Sequence, residues 1–141
     1  MRLIDDNSEN IHRMVLSGEV DFGLSSEISI TPELDFIPLI EDAFGLVCHA
    51  GHPLARHRRL EWAALADVPL LGTTAHRELE GTPEAKWLER CFFHVSNMMT
   101  LTAMLSNRIG VTILPRLAVP AFAKDLRFIP LVRPSRHRRI G

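Results

Sequence analysis

The chain has 141 residues, of which 46% are hydrophobic and 23% are charged, and its formal net charge is −1. This composition is typical of one globular unit, or of two small lobes that share a chain, and it excludes a disordered or fibrous protein. The charge is sorted along the chain: residues 1–50 carry ten acidic and two basic side chains, whereas residues 51–141 carry seven acidic and fourteen basic ones. We interpret this as two faces or lobes of unlike potential, and an ordinary solvated surface is the alternative.

The sequence has no sign of export or of membrane insertion. The stretch MRLIDDNSEN has acids and amides where a signal peptide needs an apolar run. No stretch approaches the ~20 apolar residues of a membrane span. Cys48 and Cys91 have neither CxxC nor zinc-type spacing, and reduced intracellular thiols are the simplest interpretation. We therefore expect a cytoplasmic protein with no membrane contact.

The first 24 residues predict a strand, a helix and a second strand. The strand is MRLID, and the helix runs from about Glu9 to Ser17, with apolar residues at i, i+3 and i+4. Gly18 has the position of a glycine that ends a helix, and VDFGL is the second strand. We expect these two strands to pair in parallel, because a helix is the usual crossover between parallel strands.

The next stretch predicts more strands and a short helix. LDFIPLI and FGLVCHA are strands on either side of an acidic turn at Glu41-Asp42. A short helix follows at Leu60 to Leu65, and VPLLG is the next strand.

The rest of the chain continues the alternation of helices and strands. The predicted elements are a helix at Glu84 to Cys91, the strand FFHVS, a helix at Met98 to Leu105 with Met98, Leu101 and Leu105 on one face, the strand GVTILP, a helical excursion at Pro115 to Ala123, and the strand LRFIPLV. This alternation predicts an α/β fold with largely parallel sheets.

Four segments follow one another in a recognisable order. They are LSGEVDFGL at 16–24, LDFIPLIEDAFGLVCHAGHPLA at 34–55, LEWAALADVPLLG at 60–72, and VSNMMTLTAMLSNRIGVTILPRLAVP at 95–120. In pattern, order and spacing they resemble the effector-binding domain of LysR-type transcriptional regulators, and the resemblance covers essentially the whole chain. It implies a fold similar to type 2 periplasmic binding proteins, with two α/β lobes and a small-molecule cleft between them. Lobe one would be about 1–44 and 127–141, and lobe two about 50–123.

The same resemblance sets expectations about partners. Members of the family carry a helix-turn-helix, a linker helix and a first strand and helix of lobe one ahead of the point that matches Met1, and a strand and final helix beyond RRIG. It therefore implies a truncated domain that reaches DNA only through a helix-turn-helix absent from this chain. We expect no specific DNA binding by the chain alone, and we expect self-association, because family domains pair side by side.

Two basic runs allow three interpretations. GHPLARHRRL at 51–60 and RHRR at 136–139 could belong to a metal site, a nucleic-acid patch or charged structure. A metal cluster would use Cys48, His49, His52 and His57, but their strand-like alternation supplies no closed tetrahedral set. A nucleic-acid patch needs stacking aromatics or a recognition helix, and neither is evident. For the first run we favour structure, with Pro53 starting a turn. For the second run the alternatives are a solvated face and a contact with family elements absent from this chain. We predict no metal site.

The predicted ligand site consists of polar residues that directly precede helices. A hydroxyl there, together with free backbone N–H groups, can hold a carboxylate, although an ordinary helix cap is the alternative at each position. The resemblance implies that such junctions from both lobes hold the effector. We predict a small organic anion, bound by Ser8, Thr73, Thr74, Ser96 and Asn97, with Ser25 as a weaker member.

Nothing in the sequence indicates catalysis. It has no G-x-S-x-G elbow, no Gly-rich phosphate loop and no HExxH, so we expect neither catalytic residues nor a cofactor. We interpret Cys91 as a structural thiol, because the carboxyl end of a helix raises a thiol pKa. The function that the sequence favours is the ligand-sensing domain of a LysR-type regulator. The alternative is a stand-alone solute-binding protein of the same fold, which would need a secretion signal.

Overall fold

The computed structural model describes residues 2–141, which group into two units. We call the first the split unit, because it combines the chain up to Asp42 with Arg138–Gly141, and the second, Ala43–His137, the continuous unit. The described residues contain helices α1 (Ser8–Leu16) and α2 (Met98–Ser106) and strands β1 (Ile40–His49), β2 (Leu60–Glu61), β3 (Leu70–Gly72), β4 (Phe93–His94), β5 (Val111–Pro115), β6 (Leu126–Val132) and β7 (His137–Ile140). Short 3₁₀ segments are Pro53–Arg56, Trp62–Leu65, Thr74–Leu79, Pro83–Arg90 and Arg116–Ala118.

The strands form one mixed sheet in the order β2-β6-β1-β5-β3-β4, and β7 pairs with β1. Strand β1 runs antiparallel to both β5 and β6, whereas β3 runs parallel to β4 and β5, and β2 runs parallel to β6. The predicted α/β fold is confirmed, but the prediction of largely parallel sheets is wrong at the central strand. An apolar run such as FGLVCHA is buried in either direction, so its composition does not encode the direction of pairing.

The core of the continuous unit lies on both faces of β1. Phe44, Leu46 and Cys48 belong to one buried cluster, and Val47 belongs to the other. This division follows from the two-residue period of a strand, which sends successive side chains to opposite faces. Both faces are covered, so β1 is an apolar run rather than an alternating one.

Helix α2 covers the second cluster. Leu101 and Leu105 are buried, as the period predicted, but Met98, which was expected on the same face, is 38% exposed. Asn97 caps the helix, since its side chain accepts hydrogen bonds from two backbone N–H groups of the first turn. The backbone then leaves the helix through Arg108, whose φ of 59° lies in the left-handed region.

Two predicted strands of the split unit are wrong. Helix α1 is confirmed, and Gly18 follows its end with a φ of 73°, as expected of a glycine there. However, residues 2–5 of MRLID and the whole of VDFGL are not strands, while Met1 lies outside the described residues. A strand needs a hydrogen-bonded neighbour, and here Phe22 and Leu24 stay 85% and 67% exposed.

The acidic turn at Glu41-Asp42 is also wrong, because both residues lie inside β1. LDFIPLI is strand only at Ile40. Asp42 is buried and accepts hydrogen bonds from Arg138 of β7, at 3.0 and 3.1 Å, so its carboxylate belongs inside the sheet. The sequence analysis missed β7, and without that strand Asp42 had no evident partner.

Several predicted helices are 3₁₀ turns. The helix at Leu60 to Leu65 is strand β2 followed by a 3₁₀ turn, and the helix at Glu84 to Cys91 is the 3₁₀ segment Pro83–Arg90. The excursion at Pro115 to Ala123 contains only the short turn Arg116–Ala118, and FFHVS contributes the two residues of β4. Side chains at i and i+3 share a side in a 3₁₀ turn as they do in an α-helix, so the apolar pattern did not separate the two.

Candidate functional site

A cavity of about 700 Å³ lies in the continuous unit. The chain enters its wall as it leaves β3, and again as it leaves β4. Polar side chains that follow β3 and β4 lie together in this wall. The polar and charged residues of the wall include Thr73, Thr74, His76, Arg77, His94 and Ser96.

Thr73 is the polar residue of the wall that has no partner. It is 8% exposed, and its Oγ1 atom has no hydrogen-bond partner among the described residues. It precedes the 3₁₀ segment Thr74–Leu79 in the N-cap position, yet its side chain makes no capping hydrogen bond. The hydroxyl is therefore available to a ligand rather than used by the local fold, whereas Thr74 beside it is exposed.

His76 was not predicted, and it holds the wall in place. Its Nε2 lies 3.1 Å from the carbonyl oxygen of Ile113, so Nε2 carries the proton and donates it. Its Nδ1 is then an acceptor and lies 3.9 Å from the Sγ of Cys91. Burial lowers the pKa of His76 to about 4, so the imidazole is neutral at pH 7. The sequence signal was available: residues i and i+3 share a side of a 3₁₀ turn, which places His76 beside Thr73.

Ser96 and Asn97 have different environments. Ser96 is exposed and lines both the cavity and a neighbouring hollow of about 360 Å³. Asn97 lines only that hollow, and its Oδ1 accepts from the backbone N–H groups of Met99 and Thr100 at 2.9 and 3.1 Å. The helix-cap alternative therefore describes the contacts that Asn97 makes.

Ser8 and Ser25 lie in the split unit. Ser8 is the first residue of α1, but the N-cap is Asn7, whose side chain accepts from the backbone N–H of Asn10. The Ser8 Oγ lies 2.9 Å from the Oγ of Ser26, so its hydroxyl has a partner within its own unit. Asn is as good a cap as Ser, and the sequence alone did not separate the two neighbours.

The comparison with known families identifies the chain. The family model of the LysR substrate binding domain matches residues 1–141. The chain belongs to this family.

Curated relatives of this LysR domain are transcriptional regulators. The uncharacterized HTH-type transcriptional regulator YbhD of Escherichia coli strain K12 is 29% identical over 147 residues, covering 100% of the chain and 46% of the relative. A probable hydrogen peroxide-inducible genes activator of Mycobacterium avium is 29% identical over 149 residues, covering 100% of the chain and 48% of the relative. The chain thus spans about half the length of the curated relatives it matches, and these relatives are regulators rather than enzymes.

Solved structures show the same fold. The effector binding domain of QuiR in complex with shikimate has a TM-score of 0.76 at 17% identity, covering 96% of this chain and 68% of that one. The reduced form of OxyR has a TM-score of 0.73 at 24% identity, covering 100% of this chain and 69% of that one. The predicted relation to LysR effector-binding domains, and with it their type of α/β fold, is confirmed.

The second basic run of the LysR domain is structural. Each of its three arginines forms an ion pair with a carboxylate of the same unit: Arg136 with Glu84 at 2.6 Å, Arg138 with Asp42 at 3.0 Å, and Arg139 with Glu27 at 2.5 Å.

The first basic run contains a turn, as predicted. Pro53 begins a 3₁₀ segment, which His52 caps by accepting from the backbone N–H of Leu54 at 3.1 Å. Arg58 and Arg59 are exposed. Within residues 2–141, no three His, Cys, Asp or Glu side chains are grouped so that they could hold a metal ion.

Both thiols are buried or half-buried. Burial raises the pKa of Cys48 to about 11 and also raises the pKa of Cys91, so both thiols stay protonated at neutral pH.

In the described part of the chain, no helix is long and apolar enough to cross a bilayer.

Proposed function

We propose that this LysR domain is the ligand-sensing part of a transcriptional regulator, and that a small organic anion binds in the cavity beside Thr73. The observation that carries the proposal is the Thr73 hydroxyl, which is buried in the cavity wall and unpartnered. A buried hydroxyl without a hydrogen bond costs about 1–3 kcal/mol, which a ligand oxygen recovers on binding. Ligand binding should therefore stabilise the domain relative to its ligand-free state.

The donors in the wall favour an anion. The hydroxyls of Thr73, Thr74 and Ser96 line the cavity. Arg77 lies in the same wall, but Glu80 and Glu89 do as well, so the summed charge of the wall does not select the ligand. The choice of an anion rests on the cluster of hydroxyl donors and on the effector class that the family resemblance implied.

We also propose Ser8, Asn97 and Ser25 as ligand contacts. Each of their side chains has a hydrogen-bond partner within the protein, so each would contribute less than Thr73. We retain the two lobes proposed from the sequence, about 1–44 with 127–141 and about 50–123, with Ser8 as the contribution of lobe one. Its hydroxyl would have to exchange its contact with Ser26 for a ligand oxygen. Asn97 would act through the amide nitrogen of its side chain, because its Oδ1 caps α2.

The wider role rests on the relatives. YbhD is named as an HTH-type regulator, and the QuiR domain of the same fold is in complex with shikimate. We propose that ligand binding in this domain alters the action of a helix-turn-helix domain on DNA, in a cytoplasmic, self-associating regulator. Neither relative is named as a stand-alone solute-binding protein, so that alternative has no support from them.

The sharpest test replaces Thr73 with valine, which has the same shape but no hydroxyl. If Thr73 is kept polar for a ligand, Thr73→Val raises the free energy of unfolding of the ligand-free domain by about 1 kcal/mol, because an unpaired buried hydroxyl is removed. The same change weakens binding of a carboxylate found in a calorimetric panel that includes shikimate and benzoate, by roughly tenfold to a hundredfold. A loss of stability with no change in affinity would contradict the proposal.

A matched pair of serine variants gives the control. Ser96→Ala removes an exposed hydroxyl of the cavity wall, and Ser135→Ala removes an exposed hydroxyl outside it. We expect only Ser96→Ala to weaken binding. Equal affinities for both variants would exclude Ser96 from the site and leave Thr73 and Thr74 to be tested alone.

A further inference from the structure

The cavity of the continuous unit, which we call the Thr73 cavity, contains two carboxylates that binding of a plain anion does not use. Glu80 and Glu89 line its wall, and Arg77 is the one Lys or Arg side chain of the described wall. Both glutamates are exposed, and neither forms an ion pair with a residue in the range 2–141. Two uncompensated carboxylates repel an anion and attract a cation. The wall therefore suits a ligand that carries a positive charge in addition to its carboxylate.

The hydroxyls and the glutamates lie at different ends of the wall. Thr73 precedes the 3₁₀ segment Thr74–Leu79, and Glu80 follows it. A 3₁₀ helix rises about 2 Å per residue, so the ends of this segment are roughly 12 Å apart. Glu89 belongs to the segment Pro83–Arg90, which packs against Thr74–Leu79. A ligand that contacts both Thr73 and these glutamates is therefore elongated.

The polarity of the wall also fixes the orientation of such a ligand. The unpartnered hydroxyl of Thr73 is buried, whereas Glu80 and Glu89 are exposed. The apolar part of the wall consists of half-buried Ala85, Leu88 and Val95. The carboxylate would lie at the buried hydroxyl, an aliphatic chain would lie against the apolar side chains, and an ammonium group would lie near the solvent.

We propose that the ligand of the Thr73 cavity is an elongated zwitterion, with an aliphatic chain between a carboxylate and an ammonium group. The carboxylate bonds to Thr73, and the ammonium group lies beside Glu80 and Glu89. This proposal rests on the proposed function and deepens it by naming the class of ligand. The two glutamates then determine specificity, because they disfavour an anion that has no cationic end.

The test uses three probes with the same six-carbon chain: 6-aminohexanoate, hexanoate and hexylamine. They are titrated into the ¹⁵N-labelled chain at pH 7, and the backbone amides of residues 73–96 are followed. We expect 6-aminohexanoate to bind at least about threefold more tightly than either of the other two, because only this probe has both charged ends. Tighter binding of hexanoate than of 6-aminohexanoate would overturn the zwitterion and leave the anion site in place.

Charge variants of the glutamates locate the ammonium group. The double variant Glu80→Gln, Glu89→Gln keeps the shape of two exposed side chains and removes both charges. We expect it to weaken binding of 6-aminohexanoate about fivefold and to strengthen binding of hexanoate about twofold. The matched control is Glu78→Gln, which lies on the same 3₁₀ segment but outside the cavity wall, and it should leave the ratio of the two affinities unchanged. Equal changes for both probes in the double variant would overturn the proposal.

Thr73→Val separates this proposal from the anion site on which it rests. We expect it to weaken 6-aminohexanoate and hexanoate alike, because both probes carry a carboxylate. If Thr73→Val weakens both and the double glutamine variant changes neither, the zwitterion is overturned and the anion site stands. If Thr73→Val changes neither affinity, the carboxylate does not lie at Thr73, and both proposals are overturned.

Discussion

The two units of this LysR domain differ in how completely they are packed. Both hydrophobic clusters belong to the continuous unit, where Leu46, Val47 and Ile113 have no exposed surface. In the described part of the split unit, Ile11 is the buried hydrophobic residue, and the other buried side chains are His12, Ser26 and Asp42. One unit is therefore held by apolar burial, and the other depends largely on polar contacts.

The same contrast extends to the two cavities. The Thr73 cavity is supported by a neutral histidine that is bonded on both ring nitrogens, beside a filled core. A cavity of about 720 Å³ in the split unit is lined by side chains of which about half are exposed, among them Phe22, Leu24 and Ile37, so its shape depends on contacts that water can replace. We expect the Thr73 cavity to keep its shape before a ligand arrives and the cavity of the split unit to be more variable.

The largest expected effect comes from removing a core side chain in each unit. Leu71→Ala leaves a void beside a fully buried position and should lower the free energy of unfolding by up to about 5 kcal/mol. Ile11→Ala, beside an open cavity that water can enter, should cost less than about 2 kcal/mol. Urea denaturation measures both. Equal losses would show that the two units are packed alike.

The next effect is the pH dependence of stability that His76 gives to the continuous unit. The folded pKa of His76 is about 4, below the ordinary value of about 6.5, so the unfolded chain takes up the proton first as the pH falls. Stability should therefore decline as the pH falls from about 6.5, reaching a loss of order 3 kcal/mol below about pH 4. His76→Gln should flatten this part of the pH profile, and exposed His57→Gln should not. Identical slopes for both variants would contradict the assignment.

The smallest effect compares two arginines of the carboxyl-terminal stretch. Arg138 pairs with buried Asp42, whereas Arg133 pairs with Glu61 at 2.5 Å in a pair whose side chains are 75% and 55% exposed. Arg138→Leu removes the hydrogen bonds that the guanidinium donates to the buried carboxylate of Asp42 and should cost about 2 kcal/mol. Arg133→Leu should cost less than about 1 kcal/mol. If high salt abolishes the difference between the two variants, the Arg138 pair is as solvated as the other.

Local patterns predicted the elements of the continuous unit best. The helix α2 and the strands β5 and β6 were predicted close to their observed bounds, since each has enough residues to show its own period. The segment VDFGL has the same apolar pattern but pairs with no strand among residues 2–141, whereas β7, HRRI, has little apolar pattern but pairs with β1. Whether these segments form strands depends on partners far away in the sequence. A window of ten residues contains no information about such partners.

The sequence predicted the part of the candidate site that follows from the parallel direction of β3 and β4. Polar residues just after β3 and β4 meet because parallel neighbouring strands end at one edge of a sheet, which brings Thr73 and Ser96 to one cavity. His76 was missed, although its position three residues after Thr73 was a usable signal. Its role also depends on the carbonyl of Ile113, 37 residues away, which no local pattern contains.

The contacts of residues 138–141 over long sequence separation have a consequence for synthesis of the protein. Ser25 and Gly141 exchange two backbone hydrogen bonds of 3.0 Å, and Arg139 bonds to Glu27, 112 residues earlier in the chain. The continuous unit can fold once residue 137 has left the ribosome, whereas the split unit also needs residues 138–141. Ser25 and Glu27 lack these partners during that interval. Folding on the ribosome should therefore begin in the continuous unit and reach the split unit later.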